Sequence, residues 1–189
     1  MIIGVGVGMS AAKVNAEPPV LFADDFNRAD AATLGAPWSV FAGSWGISGN
    51  TAKIIASPDY DQIVYVNLPG ADKVSVKAHV QMGASDASII VRYNPDSRDN
   101  FYQWGKDGRL YKNVAGAWNA LGSYNPPSGI EWAELEIVLN GANIDAYYNG
   151  LKVVSATDTA LIDNKCFGMR NGNGTSGVWD DFEIKAVAP

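Results

Sequence analysis

Residues 73–82 alternate without a break: Val74, Val76, Ala78, Val80 and Met82 are apolar, and Ser75, Lys77, His79 and Gln81 between them are polar. Successive side chains of an extended strand point to opposite faces, so this spacing describes a strand buried on one side and wet on the other. The pattern returns where Ala133, Leu135, Ile137 and Leu139 alternate with Glu134 and Glu136. Asn140-Gly141 follows, then residues 144–148, then Asn149-Gly150, then residues 151–156. Asn and Gly both tolerate positive φ, so two such pairs between short β-rich runs predict a three-stranded meander with tight turns.

Residues 62–68, 87–93, 100–104, 109–115, 166–170 and 178–187 read as further strands. Turn signals separate them, including Asp107-Gly108 and the Asn- and Gly-rich stretch 171–177. No window keeps a helical period over three turns. Many short strands at this spacing predict an all-β fold, a two-sheet antiparallel sandwich. The chain has 189 residues, 47% hydrophobic and 18% charged, which suits one domain with a core of its own. Folding a chain of this length hides roughly 70% of the surface its unfolded form exposes.

The sandwich is assigned to residues 20–189 and an extended arm to residues 1–19. A signal peptide fits the arm poorly, because no Lys or Arg precedes the apolar residues, three of the first nine are glycine, and Lys13 comes after them. The run is also too short to span a bilayer. As a strand it puts Ile3, Val5, Val7 and Met9 on one face and Gly4, Gly6 and Gly8 on the other. A bare glycine face permits close approach of another backbone, so the arm is expected to dock on a neighbouring subunit and to end at the Pro18-Pro19 hinge.

The net charge of -6 and the pI near 4.6 argue against a nucleic-acid partner, since there is no basic stripe to displace counterions from phosphates. Cys166 is the only cysteine, which rules out an intrachain disulfide. Its neighbours Phe167, Gly168 and Met169 suggest a small buried hydrophobe.

Phe22-Ala23-Asp24-Asp25-Phe26 is echoed by Val178-Trp179-Asp180-Asp181-Phe182. In strand register Asp24 and Asp180 each share a face with apolar neighbours, and nearby carboxylates there cannot both stay charged without compensation. Arg28, Arg170 or backbone donors would supply it; so would a structural Ca²⁺ held by Asp24, Asp25, Asp180 and Asp181. Between residues 101 and 124 lie Tyr102, Trp104, Tyr111, Trp118 and Tyr124, with Asp107, Gln103, Lys106, Asn113 and Asn119 among them. Flat rings beside polar groups are what a sugar's apolar face and hydroxyls require, and rings on strands also serve as cross-strand pairs or core. His79 falls on the polar face of its strand. Ser176 lacks the second glycine of a nucleophile elbow, and no phosphate loop, zinc spacing or dinucleotide fingerprint is present.

Several motifs resemble those of the laminin G-like, concanavalin A-like jelly rolls. They are Asp24-Asp25-Phe26-Asn27-Arg28-Ala29-Asp30, Leu34-Gly35, Trp38-Ser39-Val40, Gly43-Ser44-Trp45-Gly46-Ile47, Tyr147-Tyr148-Asn149-Gly150, Phe167-Gly168-Met169-Arg170 and Trp179-Asp180-Asp181-Phe182. The resemblance covers about residues 20 to 187 and implies that the first and last strands pair. It also implies carbohydrate binding or adhesion, and the opening motif is most similar to modules of bacteriophage minor tail and other virion proteins. The expectation is therefore a non-enzymatic virion structural protein, a minor tail or capsid-accessory component assembled in the host cytoplasm. Its partners would be other virion proteins, copies of itself bound through the arm to make a homo-oligomer, and cell-surface carbohydrate. It would need no cofactor beyond a possible structural Ca²⁺. The alternatives are a secreted carbohydrate-binding module and a glycoside hydrolase. Glucanases of this superfamily place Glu, Asp and Glu two residues apart on one strand face, and here Glu134 and Glu136 are followed by Val138 with no central Asp.

Overall fold

The computed structural model describes residues 17–56, 61–83, 86–172, 174 and 176–187, and every regular element among them is a strand. The arm positions Ile3, Val5, Val7 and Met9 lie outside the described residues. In chain order the strands are β1 (Val20–Asp24), β2 (Ser39–Ala42), β3 (Ser44–Ile47), β4 (Ala52–Ala56) and β5 (Gln62–Asn67). There follow β6 (Lys73–Gln81), β7 (Ala87–Tyr93), β8 (Asn100–Gly105), β9 (Arg109–Val114) and β10 (Ala117–Ser123). The chain closes with β11 (Trp132–Asn140), β12 (Asn143–Tyr148), β13 (Leu151–Thr157), β14 (Cys166–Asn171) and β15 (Val178–Ala186).

They form two antiparallel sheets packed as a jelly-roll sandwich. An eight-stranded sheet runs β13-β12-β11-β6-β15-β4-β3, with β1 also on β15; a seven-stranded sheet runs β10-β9-β8-β7-β14-β5-β2. The meander expected from the Asn-Gly pairs is β11-β12-β13. Asn140 pairs with Asn143 around Gly141 (φ +60°), and Tyr148 pairs with Leu151 around Asn149 (φ +48°) and Gly150 (φ +75°). The opening and closing strands pair as the resemblance implies, Phe22 opposite Ile184 and Asp24 opposite Phe182.

The core fills the space between the sheets. Val74, Val76, Ala78 and Val80 of β6 and Leu135, Ile137 and Leu139 of β11 face Ile89, Val91, Tyr102, Trp104, Phe167 and Met169 from the other sheet. Its tryptophans keep their indole N–H bonded, the usual condition for burying them. Trp104 donates to the Tyr147 carbonyl at 2.9 Å and Trp179 to the Ser88 carbonyl at 3.2 Å, both across the sandwich. Trp45 donates to the Ala42 carbonyl at 3.0 Å.

β7 and β14 are buried at every position, because the outer face of the seven-stranded sheet carries a second apolar cluster of Ile63, Ile90, Tyr93, Phe101 and Cys166. Arg92, at φ +50°, breaks the parity of β7. Its side chain turns inward to the Gly141 carbonyl and over the Tyr102 ring, and Tyr93 joins the outer cluster. Cys166 sits in that cluster as expected, and burial pushes its thiol up to about 11. Among the described residues no helix is long and apolar enough to cross a membrane.

Candidate functional site

A groove opens on the outer face of the seven-stranded sheet, where β7 begins, β8 and β14 end, and β9 starts. Its origin is the parity of β8. Tyr102 and Trp104 point into the core, so Phe101, Gln103 and Gly105 point outward, and the last has no side chain to fill the space above it. Gly172, just past β14 on the other side of β7, is also bare: a Cβ there would lie 3.0 Å from the Asp86 Cβ and 3.2 Å from an Arg170 terminal nitrogen. The result is a cavity of about 280 Å³.

One wall is aromatic. Trp118 on β10 is 43% exposed and meets Tyr111 on β9 edge to face, with centroids 5.6 Å apart and planes at 90°. It also meets Phe101 at 5.5 Å and 73°. Two perpendicular rings form a corner against which a flat, partly apolar ligand can stack. Arg170 forms the base. Its guanidinium lies 5.0 Å from the Trp118 ring and 5.5 Å from Phe101, donates to Gln103 Oε1 at 2.8 Å and pairs with Asp61. Arg170 is 6% exposed, and its Nε has no partner. Burial lowers its proton affinity, and the carboxylate of Asp61, with those of Asp86 and Asp99, works in the opposite direction.

The polar edge comes from Asp86, Lys106 and Asp107. Asp107 occupies the tight turn between β8 and β9, its Oδ1 accepting the Arg109 N–H at 3.2 Å. Burial pushes the Asp107 carboxyl above the usual range, helped by the charge of Asp86 and opposed by Arg109. Backbone bonds fasten the surroundings: Lys106 N–H to the Ala87 carbonyl at 3.2 Å and Gly172 N–H to the Asp86 carbonyl at 3.4 Å.

The rings singled out in the sequence thus divide. Tyr111, Trp118 and Asp107 line the groove. Tyr102 and Trp104 do not: both are wholly buried between the sheets, because they occupy the inward parity of β8. Tyr102 donates to Asp158 Oδ1 at 2.5 Å. Tyr124 packs on Tyr148 at the core margin, with centroids 5.5 Å apart. Gln103 and Lys106, noted beside those rings, line the groove too, while Asp86, Gly105 and Arg170 fall outside that set, and the signal that finds Gly105 is its two-residue spacing from Gln103.

The paired aspartates lie on the other sheet, where Asp24, Asp25 and Asp181 border one cleft with Lys77, His79 and Glu183. Asp24 receives Arg28 at 2.5 and 3.0 Å, the Trp38 indole N–H at 2.8 Å and the Phe26 N–H at 2.9 Å. Arg28, not Arg170, is its counter-charge. Burial works against the charged form of Asp24, but these donors outweigh it and hold the carboxyl below the usual range. Asp25 Oδ1 caps the Asn27 N–H at 3.0 Å, Asp180 Oδ1 accepts the Asp181 N–H at 2.9 Å, and Asp181 reaches His79 Nδ1 at 3.0 Å. Among the described residues no group of three or more His, Cys, Asp or Glu is placed to hold a metal ion. Glu134 pairs with Lys77 at 3.1 Å, and Glu136 accepts the Ser75 hydroxyl.

No protein-family model matches the chain, and no curated protein does. Solved structures share the fold. The carbohydrate-binding module CBM66 from Bacillus subtilis superposes with a TM-score of 0.67 at 16% identity, over 82% of this chain and 98% of that one. A protein with a galectin-like fold from Bacillus subtilis gives 0.58 at 11% identity, over 88% and 96%. The GH43 protein BlXynB from Bacillus licheniformis gives 0.60 at 18% identity, and this chain spans only 39% of its length. At these identities the likeness is one of fold, and function has to be argued from the site.

Proposed function

We propose that the chain is a non-catalytic carbohydrate-binding domain whose site is the groove between Trp118 and Arg170. The observation that carries this is the juxtaposition, in one cavity of about 280 Å³, of a perpendicular Trp118–Tyr111 corner with the polar groups of Gln103, Asp107 and Arg170. Sugars need both halves: C–H faces stack on rings, and hydroxyls need fixed donors and acceptors. The fold shared with a carbohydrate-binding module supports the same reading. Its cavity has the size for a ring or two, below or near the lower end of small-molecule sites at roughly 300 Å³.

Titration of the full chain with a panel of soluble glycans tests this. The native protein should bind at least one of them, and Trp118→Ala should weaken binding at least about thirtyfold, as loss of a central aromatic anchor does, with the fold retained. Native-like affinity in that variant would contradict the assignment. If the rings and side-chain polar groups of the groove suffice, chelation leaves binding unchanged. Release of reducing ends from a bound glycan would move the protein to the hydrolases.

The finer placement, a virion component that displays this sandwich and gains avidity from repeated copies, rests on the resemblance of the Asp24 to Asp30 and Gly43 to Ile47 motifs. Finding the chain's peptides in purified particles by mass spectrometry is the outcome expected of it, and their absence would remove it.

A further inference from the structure

The charged groups of the groove are unequally engaged. On the cationic side, Arg170 is already engaged by Asp61 and Gln103, and Lys106 Nζ donates to the Gly83 carbonyl. On the anionic side, the Asp86 carboxylate takes no donor from the described residues, and Asp107 commits Oδ1 to the Arg109 N–H. Asp86 and Asp107 therefore offer free acceptor oxygens while both cations are engaged; the donors left over are Arg170 Nε and the Gln103 amide N–H groups.

Each of these acids also stands beside a glycine. A Cβ on Gly105 would lie 3.0 Å from Asp107 Oδ1, and one on Gly172 would lie 3.1 Å from Asp86 Oδ2. The missing side chains leave both carboxylates uncovered toward the cavity and next to the Trp118 corner. Acids crowd the cation at its base: Asp61, Asp86 and Asp99 all act on Arg170, and Asp86 disfavours the charged form of Asp107. A ligand carboxylate or sulfate would meet two acids with nothing to donate, whereas a pair of hydroxyls supplies what they lack.

We infer that the groove takes a sugar ring free of anionic groups, whose neighbouring hydroxyls donate to Asp86 and Asp107, and that it rejects uronate-bearing and sulfated glycans. This inference rests on the carbohydrate-binding reading and fixes its ligand class. Gly105 is the specificity-determining position, because any side chain there occupies the space beside Asp107 that a ring must enter.

The test is one panel of matched neutral, uronate-containing and sulfated glycans, measured by calorimetry against the native chain, Trp118→Ala, Asp86→Ala, Asp107→Asn and Gly105→Ala, with melting curves to show that each variant is folded. Neutral glycans should bind at least about tenfold tighter than their anionic counterparts, and Asp86→Ala and Asp107→Asn should each weaken them about tenfold, the worth of a hydrogen bond to a charged group. Gly105→Ala should do the same without lowering the melting temperature by more than a few degrees. Anionic glycans bound best, with Trp118→Ala abolishing that binding, would overturn the ligand class and leave the sugar reading standing. Neutral glycans bound equally well by both aspartate variants would also overturn it. Binding that ignores Trp118→Ala, or no binding across the panel, would sink the reading itself and the inference with it.

Discussion

On the outer face of the eight-stranded sheet, Lys77 reaches Glu134 at 3.1 Å and Glu183 at 3.7 Å, Lys185 reaches Glu183 at 3.1 Å, and His79 reaches Asp181 at 3.0 Å. On the outer face of the seven-stranded sheet, one buried arginine lies against two aromatic rings, its Nε unpaired, under a cavity edged by two uncovered acids. Both faces carry charge, yet the first matches its charges within the sheet and the second leaves acceptors unmatched. A surface whose polar groups satisfy one another keeps a sheet wet and soluble. A surface that buries a cation and leaves acceptors over bare glycine is, on the function proposed above, completed by a ligand.

The comparison breaks most readily at Arg170. Arg170→Ala strands the Asp61 carboxylate and the Gln103 amide and removes the stack under Trp118, so it should cost about 3 kcal/mol or more in urea unfolding, as breaking a buried pair does, and glycan binding should vanish. A loss under about 1 kcal/mol, the range of exposed pairs, would make the two faces equivalent.

Asp24 joins β1 to the loop that carries Arg28 and Trp38, and is the best-satisfied acid on the eight-stranded side. Asp24→Ala should destabilise by about 2–3 kcal/mol, since it removes several charge-assisted hydrogen bonds together. Because its carboxyl is held low in the folded state, its contribution is present above the unfolded carboxyl value and lost as pH falls through the folded one. The stability gap between native chain and variant should therefore close in acid. A gap independent of pH would mean that charge is not what Asp24 contributes.

Asp107 has the opposite sign. Its carboxyl is raised in the folded state, so its effect favours folding at low pH and turns against it as pH rises through the folded value. Asp107→Asn should leave the melting temperature at neutral pH level or slightly higher while binding weakens. Binding by the native chain should also fade on acidification above the usual carboxylate range. A variant that loses stability and keeps affinity would make Asp107 a structural turn residue only.

Lys77→Met gives the smallest effect. Although Lys77 contacts two glutamates, its side chain is a third exposed, and pairs of this kind are worth about 1 kcal/mol or less. Glycan affinity should not move.

The same contrast explains what could be read from the chain in advance. β6 and β11 have one wet face, so their alternation shows in the residues, and the meander shows in Asn149-Gly150. β10 does not: Ala117 to Ser123 is an edge strand exposed along much of its length, and no burial imposes a pattern on it. β2, β3 and β4 are four or five residues long, too short for alternation to stand out. The groove was half legible. Tyr111 and Trp118 announce themselves as rings, but Tyr102 and Trp104 look the same in sequence, and only parity against the core separates the pairs. Arg170 lies more than sixty residues from Gln103 and reaches it only because β14 and β8 flank β7 in one sheet. Gly105 is silent, since its function is the side chain it lacks.

Two tryptophans report on the two outer faces, Trp118 on the seven-stranded sheet and Trp132, half-buried, at the start of β11 on the eight-stranded one. Titrating the native chain with a neutral glycan while following indole N–H signals by NMR compares the faces in a single sample. The account expects the Trp118 signal to move saturably and the Trp132 signal to stay. Movement of Trp132 with Trp118 fixed would contradict it.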